Sequence, residues 1–139
     1  MINFFYETDF KLNYQETLSL WIGQVISSEN KSEGEISFIL CDDEYLLKIN
    51  QDFLNHDTYT DIISFDNRMG NQLNGDIFVS VERVKENAVD FNVSFDEEMR
   101  RVLIHGVLHF CGYKDKTEEE KAVMRQKENE KLLMFHVEH

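Results

Sequence analysis

The most chemically pointed feature of the sequence is a pair of histidines four residues apart, followed by a glycine and then an aspartate: His105-Gly-Val-Leu-His109-Phe-Cys-Gly112-Tyr-Lys-Asp115. On an α-helix, residues four apart differ by only about 40° of rotation and about 6 Å of rise, so the two imidazoles can converge on one ion. A zinc ion about 2.0–2.1 Å from each nitrogen fits between them. Gly112 is where such a helix should stop, because glycine enters the left-handed C′ conformation without a steric cost. The three-residue return to Asp115 then brings a carboxylate toward the same ion, which leaves a fourth position for water. A histidine pair at this spacing is commonly accidental when it stands alone. The glycine stop and the carboxylate make it a metal pattern. In the zinc peptidase motif H-E-x-x-H the residue after the first histidine is the glutamate base, and here that residue is Gly106. Peptide hydrolysis by that route lacks its base.

These side chains need a helix, a turn and a layer behind them. Ser94 with Glu97 three residues on reads as a capping box that opens a helix over residues 94–111. Thr117 with Glu120 is a second box, opening a charged last helix with Leu132, Leu133 and Phe135 near its end. Upstream, INFFY at the start, Ile36 to Cys41, residues 61–66 and residues 75–80 read as short strands. The last two are joined by the Asn/Gly-rich NRMGNQLN as a hairpin or a looser excursion. Between them, residues 14–26 carry an apolar stripe of Tyr14, Leu18, Trp21, Ile22 and Val25 at helical spacing. Asp42 offers an N-cap to a helix with Tyr45, Leu46, Ile49 and Phe53 on its inner face. Ser80 offers another, to a helix in which Val81, Val84 and Ala88 share a face. Short strands alternating with helices predict one α+β domain with about four strands and about five helices.

Length and composition agree. A chain of 139 residues with 42% hydrophobic residues, 11 Phe among them, can bury a core without disulfides or a structural metal. No apolar run is long enough for a membrane helix, and MINFFYETDFKL lacks the basic start of an export signal, so the expectation is a cytoplasmic, unanchored protein. Cys41 and Cys111 sit 70 residues apart in apolar surroundings with no CxxC pair, which predicts reduced, buried thiols. The net charge of −13 argues against nucleic acid, whose affinity for proteins comes largely from Lys and Arg.

The string HGVLHFCGYKD nevertheless resembles the signature H-G-x-L-H-x-x-G-Y-D-H of the YbeY family. The upstream run INQDFLNHDTYTDIISFD and the strand NGDIFVS resemble family segments in the same order. The resemblance implies a zincin-like α+β fold with a small mixed sheet and one Zn²⁺ held by the final motif, here His105, His109 and Asp115. It implies a metal-dependent endoribonuclease of single-stranded RNA, acting in 16S rRNA 3′-end maturation and ribosome quality control. Implied partners are ribosomal subunits, a small-subunit ribosomal protein and a ribosome-associated GTPase. Two further readings stand beside it: a zincin-type metallopeptidase, and a non-catalytic ribosome assembly factor whose metal pins the turn after Gly112.

Two departures from the family pattern bear on the site. Asp115 stands where the family has histidine, preceded by Lys114 in place of an aspartate. A carboxylate is a competent zinc ligand, but it lowers the formal charge of the centre from +2 to +1 and makes the ion a weaker Lewis acid. Lys114 and Lys116 flank it and could offset part of that charge, or simply be solvated. Leu54 stands where the family has an arginine facing the substrate, and His56 is the nearby candidate donor. Thr60, Asp61 and Ser64 match the family's T-D-x-x-S-F, with either substrate contact or local hydrogen bonding as their role. His136 and His139 are rival metal ligands if the last helix folds back. The charge is also unevenly spread: residues 1–59 carry −8 and residues 60–139 carry −5. A metal and a partner, with bulk electrostatics contributing little, are therefore expected to bring RNA to the site.

Overall fold

The computed structural model describes residues 1–56 and 58–135. Four strands, β1 (Ile2–Tyr6), β2 (Ser32–Cys41), β3 (Ile62–Asp66) and β4 (Gln72–Ser80), form one mixed sheet in the order β1-β2-β4-β3. β1 and β4 run parallel to β2, while β3 pairs antiparallel with β4 through Ile63 opposite Phe78. Residues 62–80 are therefore a hairpin. β4 starts three residues earlier and β2 four residues earlier than apolarity predicts, since Ser32 and Gln72 pair across the central strands despite their polarity.

Five helices cover the sheet: α1 (Gln15–Ser28), α2 (Asp43–Leu54), α3 (Val81–Asp90), α4 (Phe95–Phe110) and α5 (Glu118–Leu132). On one face Ile36, Phe38 and Leu40 of β2 and Ile77 and Val79 of β4 pack against Trp21, Ile22 and Val25 of α1 and Leu103, Val107 and Phe110 of α4. On the other, Leu46 of α2 closes a smaller cluster with Cys41 and Ile63. Four predicted caps form: Asp42, Ser80, Ser94 and Thr117 each accept from a backbone N–H of the first turn. Only Thr117 and Glu120 make the full reciprocal box. For Ser94 and Glu97 the structure gives the forward half alone.

The inner face of α2 departs from expectation. Leu46 and Asn50 are buried, whereas Tyr45 and Phe53 lean outward, Phe53 being 67% exposed. Asn50 earns its buried place by donating to the Thr58 carbonyl at 2.8 Å, which ties down the loop after the helix. Leu133 is likewise exposed. The cysteines are free. Cys41 is buried and Cys111 only partly so, and burial pushes their thiols up to about 12 and about 11, the state of unreactive thiols.

Candidate metal centre and its cleft

α4 is the element that aims the histidines, and the sequence fixes how closely it lies on the sheet. A Cβ added at Gly106 would stand 2.9 Å from Ile77 Cδ1 and 3.1 Å from Ile62 Cδ1. A glutamate there would have to push Ile77 and Ile62 aside: the position serves close packing of the helix against β3 and β4. The helix ends in a Schellman turn, with Gly112 N–H donating to the His109 carbonyl at 3.0 Å and Tyr113 N–H to the Leu108 carbonyl at 3.1 Å. Gly112 takes φ 107°, a value that a side chain would strain. Arg68 Nη1 donates to the Phe110 carbonyl at 2.8 Å and closes the helix end.

The same turn positions both metal-facing groups. It sets the Tyr113 carbonyl 2.9 Å from His109 Nδ1 and returns Asp115 so that its Oδ2 lies 3.1 Å from His105 Nε2 and 3.2 Å from His109 Nε2. His105 Nδ1 donates to Glu128 Oε2 at 2.7 Å. With both Nδ1 positions facing acceptors, the protons belong there, and the two Nε2 lone pairs face each other at 3.0 Å. Two lone pairs and a carboxylate oxygen at 3.0–3.2 Å repel one another unless a proton or a metal ion lies among them. The spacing is close to the edge of about 3.3 Å expected of a tetrahedron with bonds of 2.0–2.1 Å. His105, His109 and Asp115 are thus a donor set that fits a metal ion. His136 and His139 lie outside the described residues.

Glu128, on the buried face of α5, is the group that sequence reasoning missed. Its side chain is 7% exposed and is held by Arg101 Nη1 at 3.0 Å as well as by His105. Burial would raise its pKa, but the bonds to His105 and Arg101 outweigh it and hold the carboxyl below its ordinary value. Burial would lower that of His105, and the bond and charge of Glu128 reverse it. Met124, four residues earlier, is the one buried apolar residue in EEEKAVMRQKENEKL and the cue that Glu128 faces inward; α5 buries Met124, Glu128 and Lys131, two of them charged. Behind the turn, Lys131 Nζ lies 2.8 Å from Glu29 Oε2, and Tyr113 donates its hydroxyl proton to Glu29 Oε1 at 2.6 Å. This buried pair fixes the ends of α1 and α5 against the loop that carries Asp115.

The three donors open on a cleft of about 1030 Å³ between α4–α5 and α2–β3. Of the remaining sequence candidates, Leu54, His56, Thr60, Asp61 and Ser64 line it, as does Lys116. Lys114 is not among the lining residues. Thr60 and Asp61 also do local work: Thr60 Oγ1 donates to the Ile62 carbonyl at 3.4 Å, and Asp61 accepts from Asn87 Nδ2 at 3.3 Å. Two cleft carboxyls are displaced upward by burial, Asp61 against the opposing charge of His105 and Glu98 against that of Arg101. Glu98 is 3% exposed, and its Oε1 has no hydrogen-bond partner.

Comparison with known proteins agrees with this architecture. A family profile described as endoribonuclease YbeY matches residues 4–136. A protein of Flavobacterium johnsoniae bearing that name is 63% identical over 138 residues, covering 99% of both chains. One of Christiangramia forsetii is 65% identical over 137 residues, covering 99% of this chain and 96% of its own. The solution structure of TM1509 from Thermotoga maritima superposes with a TM-score of 0.71 at 25% identity, covering 97% of this chain and 89% of that one. No helix among the described residues is long and apolar enough to cross a membrane. From the profile match and the full-length identities, the chain belongs to the endoribonuclease YbeY family.

Proposed function

We propose that residues 1–139 work as a single zinc-dependent endoribonuclease domain that cuts single-stranded RNA, with His105, His109 and Asp115 as the metal ligands. The observation that carries this is the donor set itself: two Nε2 lone pairs and one carboxylate oxygen within 3.2 Å of each other, at the edge of an open cleft in a YbeY family member. A zinc ion bound there would lower the pKa of a coordinated water far below its bulk value and polarise a phosphoryl oxygen. Structural zinc sites are closed by four protein ligands, whereas this one offers three among the described residues, with Asp115 38% exposed toward the cleft.

The chain's own contribution is orientation and charge. Glu128 and the Tyr113 carbonyl hold the Nδ1 protons, so both rings present Nε2 in one fixed direction. Glu128, paired with Arg101, also makes the His105 ring a stronger donor. Asp115 adds a negative charge to the centre, which favours retention of a divalent ion while reducing its acidity. His56 is exposed on the opposite wall, where its ring nitrogens can meet a bound strand. By family resemblance the reaction belongs to 16S rRNA 3′-end maturation and ribosome quality control in the cytoplasm. Ribosomal subunits, a small-subunit ribosomal protein and a ribosome-associated GTPase are the partners that go with it.

X-ray anomalous scattering at the zinc edge on purified protein, paired with an RNA cleavage assay, tests the assignment. The expected result is one zinc ion bonded to His105, His109 and Asp115, with cleavage lost on chelation. Zinc bonded to His136 instead of Asp115, or cleavage that survives chelation, would refute it.

A further inference from the structure

The cleft is electrically one-sided. Its Lys and Arg residues are Arg101 on α4, Lys116 in the turn, and Lys121 and Arg125 on α5, all on one wall. The α2–β3 wall contributes Asp61 and Asp66, and no Lys or Arg among its described lining residues. Two of the four cations are available to a ligand. Arg101 is consumed by Glu128 and by Asn129 Oδ1 at 2.9 Å. Lys116 adjoins the proposed ligand Asp115. Lys121 and Arg125 are exposed and make only long ion pairs, 3.5 Å to Glu118 and 3.5 Å to Glu128.

Lys121, Met124, Arg125 and Glu128 form one helical stripe, so Lys121 and Arg125 stand about 6 Å apart along the axis, the scale of successive phosphates in an extended strand. The acids of α5 offset that stripe only in part, through the two 3.5 Å pairs to Glu118 and Glu128. Glu120 is spent on capping Lys116 and Thr117 N–H groups, Glu128 is occupied by Arg101 and His105, and Glu118 and Glu119 do not line the cleft. The chain as a whole carries −13, yet the two exposed side chains that α5 adds to the cleft, Lys121 and Arg125, are both cationic.

We propose that Lys121 and Arg125 are the phosphate-positioning residues of the cleft. A single-stranded RNA runs its backbone along the α5 edge and turns its bases toward the α2–β3 wall, whose described lining residues include no Lys or Arg and where Leu54 and Ile62 offer apolar surface. This rests on the endoribonuclease reading, and it explains how a leucine at position 54 is compatible with it: the phosphates are held from the opposite side.

The test uses the full-length zinc-loaded protein and a labelled single-stranded oligouridylate. Binding is measured across a salt series, with kcat, KM and zinc content alongside, for Lys121→Gln, Arg125→Gln, the double variant, and Lys85→Gln on the exposed side of α3 outside the cleft. Each cleft substitution should raise Kd and KM about threefold at low salt, and the double should flatten the slope of log K against log salt by about 1.4. kcat, zinc content and the Lys85→Gln protein should be unchanged. If Arg125→Gln lowers zinc content through Glu128, Lys121→Gln alone decides. Cleavage by the unmodified protein with an unaltered salt slope in the variants overturns the α5 assignment alone. Charge-dependent binding through Lys121 and Arg125 without cleavage overturns the nuclease reading alone. Absence of both binding and cleavage, or equal displacement of RNA by an acidic peptide without cleavage, overturns both.

Discussion

On one side of the cleft, α4 and α5 hold His105 between Glu128 at 2.7 Å and Asp115 at 3.1 Å, with Glu128 gripped in turn by Arg101. On the other, α2 and β3 end in exposed groups, Phe53, Leu54 and His56, with Asn50 as the buried tie to the following loop. The first wall is over-determined: each metal-facing ring has a partner that fixes its proton and its direction. The second presents surface without a comparable network. Of the two walls, the first would hold an ion in fixed geometry, while the second offers Leu54 and His56 as exposed surface to a ligand.

The sharpest way to break the contrast is within the first wall. His109→Ala removes one of three donors, and zinc by elemental analysis should fall from one ion per chain to none, with RNA cleavage at the level of chelated protein. Lys131→Ala leaves Glu29 behind the turn with the Tyr113 hydroxyl and the more distant Lys127 at 3.5 Å. Loss of the buried ammonium should cost about 1–3 kcal/mol, so thermal unfolding should move down by roughly 5 °C. Glu128→Gln keeps the shape but discards the charge opposite His105, and zinc affinity by competition titration should drop about 10–100-fold.

Glu98→Gln has the opposite sign. Because burial raises the folded-state pKa of Glu98, the native state holds its proton more tightly than the unfolded chain, and stability falls as pH rises above the ordinary carboxyl value. The glutamine variant escapes that loss, so denaturant unfolding should show it gaining on the unmodified protein between pH 4 and pH 8, by about 1 kcal/mol. Leu54→Ala on the second wall should change least, within about 0.5 kcal/mol in stability and with full zinc content.

The same contrast explains what was legible in the sequence. Periodicity and caps located nine elements to within a few residues, because Asp42, Ser80, Ser94 and Thr117 announce helix starts through local chemistry. The donors His105, His109 and Asp115 were legible too, since their convergence depends on one helix and one glycine turn, both local. Glu128, Glu29 and Lys131 were not. They act across 23 to 103 residues of chain on His105, Tyr113 and Ser28, and a buried face of α5 with Met124 as its one apolar member leaves little hydrophobic signal. Tyr45 and Phe53 misled for a related reason: helical spacing says which residues share a face, while burial depends on how far the covering element extends.

Titration of zinc into metal-free protein, with single-stranded RNA cleavage followed at each addition, tests the central claim most directly. Cleavage should rise in proportion to occupancy and level off at one ion per chain, and His109→Ala protein should not respond. Equal cleavage by the metal-free chain, or by His109→Ala, would contradict it.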